Sequence, residues 1–553
     1  MTKKTILLNF SWLLFFLTAI YTFLVGQLYY LTTKGPDYSF YEPYFNYFFG
    51  KLSSTGVEQG LLYYFLNASI ISVNSESFIP DLWNQHFSNS IQAGNFLLYL
   101  IGIYGIYTFL KNKNINKVHI IITLSLINIF PPAVEMRLLF KPEILIFSCL
   151  IWTIIFLDRY LESESFLNLL FSIPPLSIIL TTKANLAVMV ALFLTTFYLY
   201  KIYKVNKTNF FMGFLILTTF FLMISYENYQ ANGLFIHQHQ SPEEFTSSAK
   251  LSFLYNVNID TLINNPFRQS QKDSYLGIMF LDTFDDYFGN FWNDDSSPLY
   301  LNRSVFVSTK ATVYLGLMFT VLFYYYLVQN IFNNRKNRYL YTMPFFGILV
   351  QMILSQFTQF NPDTGDVAKT YYYSFFLVIT FALLSTEFAK QKIKVFIVFC
   401  LVFSISIVHI YGFPKNQSVG ETDFINMNNE INSLCILGDM LLTNVASGCA
   451  KKEYIVCDYT FNKRELVSIS NSQYQYKDNI PAGQLKLNKK DTEILVNYFD
   501  ECINKIDNGY KPVKNFNIEN IPFMNVFNLF LLLFSIFFYR RKHVNSEKSN
   551  YIY

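Results

Sequence analysis

The sequence has few charged residues, and its cations are not gathered in one patch. Only 14% of the 553 residues are Asp, Glu, Lys or Arg, and the formal net charge is +4. Nucleic-acid-binding surfaces need clustered cations, so no nucleic-acid partner is expected. The chain has no internal repeat, which argues against a transporter built from two matching halves. It also has no paired C-x2-C motifs and no His-rich or clustered-carboxylate site that demands a metal.

Apolar residues are abundant instead. Hydrophobic residues make up 52% of the chain and aromatic residues 19%, a composition typical of polytopic membrane proteins. Segments of roughly 17 to 25 apolar residues, the length that crosses the hydrocarbon core, predict about twelve spans. They lie near 6–30, 92–110, 118–134, 143–157, 166–182, 185–200, 208–226, 308–329, 339–360, 370–388, 395–413 and 522–539. The first is too long for a signal peptide and is interpreted as a retained span.

Basic residues alternate between the predicted connections, as the positive-inside rule requires of cytoplasmic segments. With the N-terminus inside, the cytoplasmic set is Lys3, Lys4, Lys111, Lys113, Lys117, Arg159, Lys201, Lys204, Lys207, Arg335, Lys336, Arg338, Lys390, Lys392, Lys394, Arg540, Arg541 and Lys542. The short external turns hold only Arg137, Lys141, Lys183 and Lys369. Both termini are therefore predicted to be cytoplasmic.

Three long loops fall on the external face in this topology, at 31–91, 227–308 and 414–521. We divide the chain into a transmembrane region (1–413), an external appendage (414–521), and a final span with a basic tail (522–553). The appendage is expected to be a small α+β unit, because strand-like and helix-like stretches alternate there. Its four cysteines, Cys435, Cys449, Cys457 and Cys502, predict one or two disulfides whose pairing stays open, whereas Cys149 and Cys400 fall inside predicted spans.

A charged stretch, Arg137-Leu-Leu-Phe-Lys-Pro-Glu143, separates two apolar runs. A Lys, Arg or Asp at the bilayer centre costs about 2.5 to 3.5 kcal/mol on insertion scales, so such groups sit at an interface or in a polar cavity. Two interpretations stay open: a functional site, or a charged turn between two helices.

Further candidates lie in the external segments. Asp37 follows the first span, and Glu58 opens a second apolar stretch. The stretch from Asp282 to Trp292 interleaves carboxylates with aromatic rings, which suits the binding of a sugar ring, although an interfacial helix with an acidic face fits as well. Lys369 adjoins a tyrosine cluster that begins at Tyr371. The aromatic run Tyr41–Phe49 is expected to lie on the membrane surface.

Together these residues form the set that glycosyl transfer from a lipid phosphate requires. A carboxylate base must accept the proton of the acceptor hydroxyl, and cations must stabilise the leaving phosphate. Candidate bases are Asp37, Glu58 and Asp282, and the candidate phosphate ligands are Arg137, Lys141, Lys183 and Lys369. The candidate substrate-binding residues are Glu143, Asp285, Asp286, Trp292 and Tyr371.

The chain resembles the GT-C class of polytopic membrane glycosyltransferases, in particular the protein mannosyltransferase and aminoarabinose transferase group (family 39-like). The resemblance is carried by Asp37, Lys141-Pro-Glu143, Asp282-Thr-Phe-Asp-Asp-Tyr-Phe288 and Asp366-Val-Ala-Lys-Thr-Tyr371. It implies an all-α bundle, a polyprenyl-phosphate-linked sugar donor, and Asp37 as the base. It also implies a lipid, glycan or protein acceptor. A divalent metal assists some members of the class, but no cofactor is expected here. The first loop departs from the family because it lacks a paired acidic residue, Glu42 being the nearest.

Two other functions remain as alternatives. An O-antigen-type polysaccharide polymerase or ligase would depend on external arginines and histidines, for which Arg268, Arg303, His237 and His239 are candidates. A lipid-linked sugar transporter would bind the same substrates and form no bond. In either case the expected location is a bacterial inner membrane, and the substrate is expected to bind at its external face.

Overall fold

The computed structural model describes most of the transmembrane region and the last helix. The described residues are 3–29, 38–50, 52–57, 59–74, 85–233, 251–264, 271, 274–283, 310–334, 337–357, 370–389, 397–398, 402 and 517–549. Every regular element within these ranges is helical, and no strand occurs among them. The appendage 414–521, with its four cysteines, falls outside them up to residue 516.

The helices of the first half are α1 (Lys3–Tyr29), α2 (Tyr38–Phe48), α3 (Leu61–Asn74), α4 (Gln85–Asn112), α5 (Lys117–Asn128), α6 (Pro131–Leu138), α7 (Glu143–Ser163), α8 (Phe166–Thr182), α9 (Ala184–Leu194), α10 (Tyr200–Val205) and α11 (Lys207–Asn232). A π-helical turn, Thr195–Leu199, joins α9 to α10. Those of the second half are α12 (Ser252–Tyr255), α13 (Ile259–Asn264), α14 (Tyr275–Asp282), α15 (Lys310–Asn333), α16 (Arg338–Tyr341), α17 (Met343–Phe357), α18 (Ser374–Ala389) and α19 (Phe523–Ser549). A 3-10 turn, Thr370–Tyr373, precedes α18.

The prediction of an α-helical integral membrane protein is confirmed. Eight helices of the described chain are long and apolar enough to cross a membrane, and a ninth span results if α5 and α6, bent by 58°, are counted as one. The predicted spans at 166–182 and 339–360 coincide with shorter apolar helices, Phe166–Thr182 and Met343–Leu354. The predicted span at 395–413 lies almost wholly outside the described residues, so the number twelve stays a prediction.

Helix α7 is the centre of the bundle. All its residues from Glu143 to Leu157 are buried, including Cys149. Two glycines of α4 allow close packing against it: a Cβ on Gly102 would lie 2.2 Å from the Phe147 ring, and one on Gly105 would lie 2.5 Å from Ile151. Small residues at a helix interface let two backbones approach in this way. The apolar periphery differs, since only 11% of the apolar window of α11 is buried.

Amide side chains link helices where α8 contains prolines. Pro174 and Pro175 lie inside α8. Asn528 of α19 donates to the Pro174 carbonyl at 3.1 Å and to Ser177 Oγ at 2.7 Å. Prolines are tolerated in membrane helices when neighbouring side chains satisfy the backbone nearby. Asn528 thus fixes α19 against the irregular part of α8.

A polar network marks one end of α7. Asp158 binds Lys113 Nζ at 2.9 Å, and it accepts hydrogen bonds from Tyr198 and Tyr339, each at 2.9 Å. The π-helical turn carries Tyr198 to this position. Because Asp158 and Glu143 lie on the same helix, the two are separated by about 22 Å at 1.5 Å per residue. This is the end where the predicted cytoplasmic lysines and arginines cluster.

The aromatic run in the first loop packs into the protein on one side. Tyr44, Phe45 and Phe48 of α2 are fully buried, and the Tyr44 ring stacks on Tyr64 of α3 with centroids 3.9 Å apart. Aromatic rings suit a lipid interface and a protein core equally, so the location of α2 at the membrane surface stays a prediction.

The orientation of the bundle can be tested at the two ends of α11. Alkaline phosphatase is active only outside the inner membrane, and the positive-inside rule puts Lys201, Lys204 and Lys207 in the cytoplasm. We expect a phosphatase fusion after Asn206 to be inactive and a fusion after Gly233 to be active. Phosphatase activity per fused protein in intact cells is the measurement, and the opposite pattern would invert the topology.

Candidate functional site

Five residues form a lysine–tyrosine cluster at the other end of α7: Lys141, Glu143, Lys183, Tyr371 and Tyr372. Lys183 Nζ lies 3.1 Å from Glu143 Oε1 and 4.8 Å from the centroid of the Tyr372 ring. Lys141 Nζ lies 4.9 Å from the centroid of the Tyr371 ring. Each lysine therefore faces one of two adjacent tyrosines, an arrangement stabilised by the negative face of the ring.

Local sequence explains how the cluster assembles. Pro142 caps α7 and makes Glu143 its first residue, where the helix dipole favours a carboxylate. Lys183 is extended, with φ −155° and ψ 121°, and forms the break between α8 and α9. The two tyrosines lie in the 3-10 turn that leads into α18. Three irregular points in the chain thus meet at one place.

The cluster is enclosed by protein. The side chain of Glu143 is 0% exposed and that of Lys183 13% exposed, and Lys141 is 2% exposed. Glu143 Oε2 has no hydrogen-bond partner among the described residues. Interactions between charges are stronger where water is excluded, so the ion pair between Lys183 and Glu143 is stronger here than an equivalent pair at the protein surface.

Two hydrogen bonds to backbone carbonyls hold the turn that carries Lys183. The Gly60 amide donates to the Thr182 carbonyl at 2.7 Å, and Asn228 Nδ2 donates to the Thr181 carbonyl at 3.2 Å. Gly60 permits this approach because a Cβ there would lie only 2.4 Å from the Thr181 carbonyl oxygen. The first loop and α11 therefore both determine where Lys183 lies.

Arg137 is not part of the cluster. Its Nη2 donates to the Thr22 carbonyl of α1 at 2.7 Å, and its guanidinium carbon lies 5.8 Å from the centroid of the Tyr99 ring. Asn95 of α4 donates to the carbonyls of Arg137 and Leu139 at 2.8 and 2.9 Å. These contacts tie α6 to α1 and α4, so the structure gives Arg137 a helix-bridging position.

Glu227 lies at this end of the bundle as well, and it caps a helix. It accepts hydrogen bonds from the amides of Met524 and Asn525, each at 2.9 Å, at the start of α19. A carboxylate at a helix N-terminus satisfies amides that the helix itself cannot. Burial raises the pKa of the nearby Tyr47 phenol, and the Glu227 carboxylate raises it further. Glu227 is therefore occupied as a structural anion.

The structure brings together four of the predicted site residues: Lys141, Glu143, Lys183 and Tyr371. It adds Tyr372, for which the run of three tyrosines in the sequence was the available signal, and the supporting Gly60 and Asn228, for which no local signal exists. The other predicted residues, Asp37, Glu58, Lys369, Asp285, Asp286 and Trp292, lie outside the described residues. Asp282 ends α14, and only its backbone is described.

Comparison with known proteins gives no assignment: no family model matches the chain, and neither a curated protein nor a solved structure is significantly similar to it. Within the described ranges, no group of three or more His, Cys, Asp or Glu side chains is placed to hold a metal ion. The chemistry of the cluster is therefore the available guide to function.

Removal of either partner of the buried ion pair between Glu143 and Lys183 should destabilise the protein. Removing one partner of a buried pair leaves an uncompensated charge and costs about 3–5 kcal/mol. We expect this loss for Glu143→Gln and for Lys183→Met, and a smaller loss for the double variant than for the sum of the two. Unfolding titrations in mixed micelles measure the free energy of unfolding.

The exposed pair Arg159–Glu162, whose side chains are 28% and 60% exposed, provides the control. Glu162→Gln should change the free energy of unfolding by less than about 1 kcal/mol, as is usual for surface pairs. If Glu143→Gln and Glu162→Gln lowered the free energy of unfolding equally, breaking the buried pair would cost no more than breaking an exposed pair, and the prediction would be wrong.

Gly60→Ala should destabilise the turn that carries Lys183. The added Cβ would meet backbone atoms, which cannot move aside, and overpacking of this kind costs about 1–3 kcal/mol. Gly213→Ala is the matched control, since its Cβ would meet the flexible end of Leu169 at 2.9 Å. The same unfolding titration compares the two, and equal stability of both variants would contradict the close approach at Gly60.

Proposed function

We propose that this chain is a membrane glycosyltransferase of GT-C type. It moves a sugar from a polyprenyl-phosphate donor to a lipid, glycan or protein acceptor on the external face of a bacterial inner membrane. The observation that carries the proposal is the lysine–tyrosine cluster: two lysines and one carboxylate, enclosed at the end of the bundle that the charge distribution predicts to be external.

The two lysines suit a phosphate leaving group. Glycosidic bond cleavage places negative charge on the phosphate oxygen, and cations that are already in position stabilise that charge in the transition state. The faces of Tyr371 and Tyr372 hold Lys141 and Lys183 before any substrate arrives. Little reorganisation is then needed when the bond breaks. Low exposure to water makes each interaction stronger than it would be at the surface.

The location suits a lipid-linked donor. Polyprenyl chains lie in the bilayer and their phosphates at its surface, so a phosphate site should lie at the end of a helical bundle. Lysines enclosed at that position are expensive to maintain in a membrane protein, which makes a functional role the default hypothesis. Glu143 Oε2 is buried without a hydrogen-bond partner among the described residues, and we propose that a sugar hydroxyl which enters the cluster donates a hydrogen bond to it.

The proposed reaction is a single displacement. The acceptor hydroxyl attacks the anomeric carbon, and its proton passes to the Asp37 carboxylate. The bond between the anomeric carbon and the phosphate oxygen breaks, and its electron pair stays with the phosphate, which Lys141 and Lys183 bind. Glu58 and Asp282 are the substitute bases, since Glu143 and Glu227 already bind Lys183 and α19, respectively.

The base is tested with Asp37→Asn, which has nearly the same shape. Membranes that contain the wild-type chain or the variant, at matched expression, receive radiolabelled polyprenyl-phosphate sugars. We expect the rate of transfer to fall about 10²- to 10⁴-fold, the usual contribution of a general base. Transfer that survives in Asp37→Asn would move the base to Glu58 or Asp282. No transfer by the wild-type chain from any donor would favour the polymerase, ligase or transporter functions.

The cation site is tested with Lys141→Met, which keeps the length of the side chain and removes its charge. Loss of an electrostatic group that acts in the transition state costs about 10²- to 10³-fold in rate. Lys117→Met is the matched control, because Lys117 also faces an aromatic ring, Trp12 at 5.9 Å, but lies at the opposite end of the bundle. Equal transfer rates for the two variants would argue against phosphate binding by the cluster.

A further inference from the structure

A segment in the second external loop, residues 251–264, exposes a regular row of large apolar side chains. Leu251, Tyr255, Ile259 and Ile263 are 68%, 70%, 62% and 58% exposed. They recur at every fourth position, which makes Leu251 and Tyr255 neighbours on one helical turn and Ile259 and Ile263 neighbours on another, with the non-helical residues 256–258 between the two turns. The first two belong to the turn of α12 and the last two to α13. Asp260 is the segment's only charged residue.

The opposite side of this segment is fastened to the bundle. Phe253 is buried and packs edge-to-face on Tyr275 of α14, with centroids 5.8 Å apart. Ser274 donates to the Asn256 carbonyl, and Tyr275 donates to the Ile348 carbonyl of α17 at 3.1 Å. These contacts hold the α12 half of the segment, so Leu251 and Tyr255 face outward, whereas α13 has no buried residue.

The segment borders a lipid-facing helix. Tyr314 donates a hydrogen bond to the Ile263 carbonyl, and Tyr314 lies near the N-terminal end of α15, a helix that is long and apolar enough to cross a membrane. Further along, α15 exposes Met318, Val321, Leu322 and Tyr325. The apolar row on 251–264 therefore adjoins that exposed apolar surface at Tyr314.

The end of α15 that carries Tyr314 is the end where the lysine–tyrosine cluster lies. The other end of α15 leads into α16, where Arg338 donates to the Ile331 carbonyl at 2.8 Å and Tyr339 binds Asp158. Asp158 and Glu143 mark opposite ends of α7. The segment 251–264 therefore lies at the membrane boundary on the side of the cluster.

We infer that residues 251–264 form an interfacial segment that rests on the outer leaflet, with Leu251, Tyr255, Ile259 and Ile263 inserted among the lipids. Two observations favour lipid over a protein partner. The apolar row adjoins the exposed apolar surface of α15 at Tyr314, and Asp260 is the only charged residue in the segment. Amphipathic segments of this kind insert their apolar face at the boundary of headgroups and acyl chains. The inference holds whatever reaction the protein performs.

The test uses the full-length wild-type protein in liposomes. A lipid-soluble iodophenyl diazirine is activated by light, and the modified residues are identified by mass spectrometry. Met318, on the exposed face of α15, is the internal reference for contact with lipid. We expect adducts at Tyr255, Ile259 and Ile263 at yields comparable to the yield at Met318, because an interfacial segment inserts its apolar face at the boundary of headgroups and acyl chains.

A double variant tests whether labelling reflects contact with lipid or only the intrinsic reactivity of these side chains toward the reagent. Ile259→Asp with Ile263→Asp should lower labelling at Leu251 and Tyr255 and leave Met318 unchanged, because charged groups leave the acyl region. The inference is overturned if the wild-type row is labelled about tenfold less than Met318 while a water-soluble carbene reagent labels it. It is equally overturned if the row is protected from the lipid reagent at high protein density and becomes labelled only at one chain per vesicle, since a second copy of the chain would then cover it.

Discussion

The structure depends on a helix that is enclosed by other helices and carries an ionisable group near each end. Helix α7 has no face toward lipid or water over most of its length, so its neighbours must satisfy Glu143 and Asp158. Lys183 approaches Glu143 from the junction of α8 and α9, and Lys113 approaches Asp158 from the end of α4. Burying a charge without such a partner would cost several kcal/mol. The helices that supply the partners are therefore held around α7.

The two ends of α7 differ chemically. At Asp158 one carboxylate binds one lysine and two phenols, so the charges balance. At Glu143 the cluster contains two lysines for one carboxylate, and one carboxylate oxygen has no hydrogen-bond partner in the described chain. The first arrangement is typical of a structural junction. The second brings two lysines close to one carboxylate, and the proposal of a phosphate site rests on these two cations.

Burial in protein and contact with lipid were not distinguishable from the sequence. The apolar stretches of α7 and α11 have similar hydropathy, 1.9 and 1.7, yet 83% of the first and 11% of the second are buried. Lipid tails are as apolar as a protein core, so composition gives the same signal for both. The same ambiguity concealed the burial of Tyr44, Phe45 and Phe48 in the run Tyr41–Phe49 and the exposure of the apolar residues in 251–264.

Composition and the spacing of charges determined the class of protein, because a helix that crosses a bilayer needs a long apolar run wherever it packs. The stretch from Lys141 to Glu143 and the isolated Lys183 also stood out in the sequence, since charges between apolar runs are costly. Tertiary structure alone decided that Lys183 meets Glu143 across 40 residues, that each lysine faces its own tyrosine, and that Arg137 turns instead toward α1 and α4. Such pairings depend on which helix ends become neighbours, and that follows from the packing of the whole bundle rather than from any local pattern.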